Sequence, residues 1–117
     1  MKRSILAASV LTLAAIAGTA LSGQTGPRAI AVTAQRFSYT PANIVVKKGE
    51  TVTLEFTSKD FVHGFSIPDL KIRADLPPDK LTRVSFTAQQ VGTFEFLCDN
   101  FCGAGHEEMA GHIVVIP

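Results

Sequence analysis

From residue 51 to residue 57 every second side chain is apolar. Val52, Leu54 and Phe56 alternate with Thr51, Thr53, Glu55 and Thr57. A period of two sends alternate side chains to opposite faces of an extended chain, so this segment predicts a strand with one buried and one wet face. The same period returns in residues 81–87, where Val84 and Phe86 are in phase, and in residues 92–98, where Phe94, Phe96 and Cys98 share one side. Residues 29–37, 44–47, 61–67 and 113–116 read as further strands. Pro41 and Asn43 interrupt the first of these runs, Lys48-Gly49-Glu50 forms a turn and Pro68 ends another strand. Residues 70–80 carry charges and the pair Pro77-Pro78, which predicts a long loop. No stretch of this region sustains a helical period. Many short strands with turn signals between them predict an all-β sandwich or barrel. Eight phenylalanines and no tryptophan supply its aromatic core.

The first residues follow another rule. Lys2 and Arg3 precede an apolar run of small residues from Ile5 to Ala20, which leaves through Gly18, Thr19, Ala20 and Ser22. Charge, apolar core and small-residue exit mark residues 1–22 as a secretory signal peptide. The run is short for a spanning helix, which needs ~20 apolar residues. Left uncut, it would serve as an N-terminal membrane anchor. Either way the globular part, residues 29–117, is expected outside the cytoplasm, in a periplasmic or equivalent compartment. The chain has 11 Lys+Arg and 10 Asp+Glu; without Lys2 and Arg3 the balance is 9 against 10, a net charge of −1. No polybasic stripe is present, so no nucleic-acid partner is expected.

Chemistry concentrates in residues 98–109, Cys98-Asp99-Asn100-Phe101-Cys102-Gly103-Ala104-Gly105-His106-Glu107-Glu108-Met109. Two thiols, an imidazole and a thioether fall within twelve positions, and these soft or borderline donors together favour copper. Cys98 ends a strand and points with Phe94 and Phe96. Gly103 and Gly105 allow the loop to fold tightly and return Cys102 and His106 to the same point. Met109 is placed for a long axial contact, and His63 reaches in from an earlier strand. Three plainer uses compete. Two cysteines in an exported protein ordinarily form a disulfide. Two cysteines and two histidines also suit zinc, although zinc has no need of Met109. Methionine is more often a core residue than a ligand. His112 reads as a surface residue near the site, and Glu107 and Glu108 as solvated.

With those residues in view, the last eighty or so positions resemble a cupredoxin, and more narrowly the soluble CuA domain of cytochrome c oxidase subunit II. The matching pieces are Val46-Lys47-Lys48-Gly49-Glu50-Thr51-Val52-Thr53, Asp60-Phe61-Val62-His63-Gly64-Phe65-Ser66-Ile67-Pro68, and Gly92-Thr93-Phe94-Glu95-Phe96-Leu97-Cys98. The CxxxCxxxHxxM spacing of Cys98, Cys102, His106 and Met109 carries most weight, because a mononuclear blue-copper site has one Cys before its His. The resemblance implies a Greek-key β-sandwich holding two copper ions. It implies that Cys98 and Cys102 bridge both ions, that His63 and His106 each bind one, and that Met109 and the backbone carbonyl of Asn100 are weak ligands.

The resemblance further implies an electron-transfer module that exchanges electrons with an exported redox protein, such as a c-type cytochrome or a terminal oxidase, and turns over no substrate itself. The chain departs from the oxidase subunit in having only its leader where that subunit has two membrane helices, and in lacking the tryptophan used for electron entry. Those departures suit an alternative, a freely diffusing periplasmic copper carrier or assembly factor for a copper oxidase. A copper enzyme of the oxidase or nitrite-reductase type would need a second metal site, and His112 is the one histidine left to build it. A nitrous oxide reductase also carries a CuA domain, but its propeller needs far more chain.

Overall fold

The structure is a computed structural model that describes residues 27–117, so the leader lies outside the described residues. Nine strands form two sheets. They are β1 (Arg28–Gln35), β2 (Ser38–Thr40), β3 (Asn43–Lys47), β4 (Thr51–Ser58), β5 (His63–Ile67), β6 (Ile72–Leu76), β7 (Thr82–Thr87), β8 (Gly92–Leu97) and β9 (Ala110–Ile116). One sheet has the order β2-β1-β4-β7 and the other β3-β9-β8-β5-β6. The chain passes repeatedly between the two sheets, and the product is the expected all-β, cupredoxin-like sandwich. β1 runs parallel to β4, and β3 parallel to β9; the other pairs are antiparallel. Among the described residues no helix is long and apolar enough to cross a membrane.

The alternation in β4 does what its period requires. Val52, Leu54 and Phe56 are buried, while Thr53 and Glu55 pair across the sheet with Ser85 and Arg83 on β7. Those outward pairs hold a hydroxyl–hydroxyl hydrogen bond of 2.7 Å and an ion pair of 2.9 Å. Gly49 turns the chain into β4 with a φ of 89°, a left-handed conformation that a side chain would strain.

Two expectations are corrected. The predicted strand over residues 29–37 ends at Gln35; Arg36 and Phe37 form a turn, and Ser38–Thr40 returns antiparallel to β1 with Thr33 opposite Thr40. The predicted loop over residues 70–80 contains β6. Its apolar positions Ile72, Ala74 and Leu76 face inward, and its charges Arg73 and Asp75 are exposed on the other face. The charges therefore mark a solvated strand face instead of a break. Edge pairing with β5, from His63 opposite Leu76 to Ile67 opposite Ile72, supplies the backbone partners.

The core gathers its aromatic rings under one end of the sandwich. Phe65 packs 4.6 Å from Phe56 and 5.3 Å from Phe96, centroid to centroid. Tyr39 meets Phe96 edge-on at 5.0 Å. Each such pair adds ~0.5–1.5 kcal/mol beyond the burial of its area. Phe65 lies two residues after His63 and Phe96 two before Cys98, so this floor fixes the two strands that carry the sulfur and nitrogen donors.

Candidate metal centre

His63 at the start of β5, Cys98 just past the end of β8 and Met109 just before β9 all fall at the same end of the sandwich. The β5–β8 pairing is short there, with Ser66 opposite Leu97. Beyond it, the backbone N–H of Gly64 donates to Cys98 Sγ at 3.3 Å and not to a strand carbonyl. The strands thus part around a sulfur atom. Gly64 permits this because its bare Cα sits under Asp99, where a Cβ would collide with the Asp99 carboxylate and approach its backbone nitrogen to 3.1 Å.

The loop from Cys98 to Met109 closes on itself. The N–H of Cys98 donates to the carbonyl of Met109 at 3.2 Å. A single 3-10 turn, His106–Glu108, reverses the chain, and the N–H of His106 is held by Gly103 O at 3.1 Å. Cys98 and Cys102 are free thiols, both buried, with sulfurs 3.8 Å apart. Around this pair, His106 Nδ1 lies 3.6 Å from Cys102 Sγ and Met109 Sδ 3.8 Å from the same sulfur. The carbonyl of Asn100 lies 3.1 Å from Cys98 Sγ. Donor atoms of His63, Cys98 and Cys102 fall within 4.8 Å of one another. All six residues singled out in the sequence are therefore gathered at one place. Glu107, Glu108 and His112 are exposed, as expected.

The donor set fits copper, and His63 shows why it suits a metal better than packing alone. Its side chain is fully buried; Nε2 lies 2.6 Å from Asp60 Oδ1, while Nδ1 is buried with no hydrogen-bond partner among the described residues. An orphaned buried polar atom costs about 1–3 kcal/mol, which a metal ion on Nδ1 would offset. A carboxylate on the far nitrogen is the usual support of a metal-bound imidazole.

The supporting residues were missed in the sequence. Burial raises the Asp60 carboxyl, but hydrogen bonds from the Arg36 N–H, from His63 and from the Phe61 N–H together hold it below the usual carboxylate range. Its place three residues before His63 was the available signal. Arg73 on β6 grips Asp99 with Nε to Oδ2 at 2.6 Å and Nη2 to Oδ1 at 2.9 Å. That pairing is the main reason the Asp99 carboxyl titrates low. Tyr39 donates to Gly64 O at 2.7 Å, and burial followed by the nearby Cys98 thiol pushes its phenol well above the ordinary value. Burial also pushes the Cys102 thiol up to about 11, with Cys98 adding to the shift. Phe101 is 77% exposed beside the ring of His106, 5.6 Å away.

Known proteins share this fold. A model described as a cupredoxin-like domain matches residues 5–115, and the chain belongs to the cupredoxin family. Within that family it resembles the CuA-bearing soluble domain of cytochrome c oxidase subunit II. It is 35% identical over 94 residues to cytochrome c oxidase subunit 2 of Thermus thermophilus, a match covering 79% of this chain and 70% of that protein. The same subunit from a second Thermus thermophilus strain is also 35% identical, and there the chain spans 56% of the relative's length. Among solved structures, the periplasmic domain of subunit II of the Bradyrhizobium japonicum cytochrome oxidase superposes with a TM-score of 0.70. At 21% identity, over 76% of this chain and 83% of that one, it speaks for the fold.

Proposed function

We propose that this chain is an exported electron-transfer protein that holds two copper ions in a CuA-type centre. Cys98 and Cys102 would bridge the ions as thiolates, and His63 and His106 would each bind one. Met109 and the Asn100 carbonyl would be weak ligands. The observation that carries this reading is the buried sulfur pair, 3.8 Å apart, with His106 Nδ1 against Cys102 and beside the pair the buried ring of His63, whose Nδ1 has no hydrogen-bond partner among the described residues. When bound, such a copper pair supplies a one-electron centre whose charge is shared over two ions. The protein's part is to hold the donors still. Two come from strand ends over an aromatic floor, and the others from a loop closed by its own backbone hydrogen bonds. Burial of both sulfurs keeps water from the thiolates. The partner would be another exported redox protein, a c-type cytochrome or a terminal oxidase. An uncut leader would tether the domain to the membrane.

Copper titration with metal counting tests this. Two coppers per chain, reversible reduction and an EPR hyperfine pattern from one electron shared by two copper nuclei are expected, with the count falling sharply in Cys98→Ser and Cys102→Ser. A single weakly held Cu(I) that passes readily to an acceptor would point instead to a copper carrier. A colourless protein with a Cys98–Cys102 disulfide after loading would rule out both.

A further inference from the structure

Arg36 touches both halves of the centre. Its backbone N–H donates to Asp60 Oδ2 at 2.8 Å, and the other oxygen of that carboxylate faces His63 Nε2 at 2.6 Å. Its guanidinium carbon lies 3.9 Å from the centroid of the Phe61 ring, and that ring packs 4.9 Å from the His63 imidazole. The same side chain turns its Nε–H onto the carbonyl of Cys102 at 3.1 Å. The next residue continues the contact, because the Phe37 ring lies against Gly103 and Gly105, where a Cβ would come within 3.1 Å and 2.5 Å of it. The turn between β1 and β2 thus meets the His63 segment on one side and the loop on the other. Elsewhere the Gly64 N–H meets Cys98 Sγ, and the β5–β8 ladder pairs Ser66 with Leu97.

We propose that Arg36 is a positioning residue that locks the Cys98–Met109 loop to the His63 segment, so that the donors are pre-assembled before metal arrives. The purpose of this lock rests on the copper reading above; its geometry does not. A guanidinium suits the task because it is planar and always charged. One face stacks on an aromatic ring while an edge N–H donates to a carbonyl. The hydrogen bond from a charged donor is stronger than a neutral one, and the Cys102 carbonyl sits on the backbone that aims the Cys102 sulfur. With the lock removed, the loop would sample open states in which the buried thiols meet solvent.

The test uses the full mature protein, reduced and metal-free for one arm and copper-loaded for the other. Arg36→Met keeps an apolar stem and removes the guanidinium, with both its stack on Phe61 and its donor to Cys102. Arg83→Met, on β7, is the control. Iodoacetamide labelling of the thiols in the apo protein should be faster by about 10-fold in R36M, the rise in open population expected from losing one hydrogen bond from a charged donor. In the loaded protein, copper release to a chelator should quicken to a similar degree and the hyperfine pattern at full loading should change. R83M should match wild type in all three. If R36M fails to fold, Arg36→Lys, which keeps a cation but has no donor at the Nε position, should show the same directions with smaller size. Wild-type rates and spectrum in R36M, or a lowered Tm with labelling and spectrum unmoved, would overturn the proposal. A wild-type protein that takes up no copper pair would defeat the functional reading, while the apo labelling arm would still decide the lock.

Discussion

His63 Nε2 and Asp60 Oδ1 stand 2.6 Å apart, with the histidine buried and the aspartate at the surface. The carboxylate takes up Nε2 and leaves Nδ1 buried, with no hydrogen-bond partner among the described residues. Asp60→Asn keeps the shape and removes the charge. Copper affinity should fall by ~10–100-fold with the apo fold intact, as measured by competition with a chelator of known affinity. Unchanged affinity would mean that the pair serves packing alone.

Met109 is a core residue by burial and a proposed donor by position, with Sδ 3.8 Å from Cys102 Sγ. Met109→Leu nearly conserves volume and should cost less than about 1.5 kcal/mol in apo stability. The copper count should hold, while the reduction potential should rise because a weak thioether donor would be lost. Voltammetry of the loaded variant reads the shift, and an unmoved potential would return Met109 to the core.

Gly105 has no room for a side chain. A Cβ there would lie 2.5 Å from Phe37 Cδ2 and 2.7 Å from its Cγ. Gly105→Ala should destabilise the apo protein by about 1–3 kcal/mol. Combining it with Phe37→Leu should recover part of that loss, because the two sites share one contact. Strict additivity in denaturant melts would show that the ring is not the obstacle.

The Cys102 thiol carries a pH signature. Its value in the folded protein, about 11, lies above the ordinary thiol value, so the folded state keeps a proton that the unfolded chain gives up. The stability this contributes is fully present at neutral pH and is lost as pH rises from ~8.5, where an unfolded thiol titrates, towards about 11. Tm of the reduced apo protein should therefore fall through that window more steeply than Tm of Cys102→Ala. Parallel curves would show that the thiol is solvated.

Much of this molecule is written locally. The period of two in β4, β7 and β8 needs no distant information, since a strand's alternation is a property of the extended backbone. Cys98, Cys102, His106 and Met109 were legible as candidate donors because soft or borderline ligands packed at short spacing are a chemical statement in themselves, whereas His63 lay in an earlier strand and Asn100 came only with the family resemblance. β6 was hidden because its exposed charges, Arg73 and Asp75, read as a loop until β5 lay beside it. The break at Arg36 was hidden because only pairing with Thr33 to Gln35 separates β2 from β1.

The sequence by itself determined which faces of β4, β7 and β8 are buried and which side chains offer candidate donors to a metal. The tertiary structure alone decided what holds those atoms. Arg36 donates to a carbonyl 66 residues away, Arg73 grips Asp99 across 26 residues, and Gly64 turns its N–H to a sulfur 34 residues on. Such contacts leave no periodic trace in the chain, because they follow from where folded strands end and not from the order of residues along any one of them.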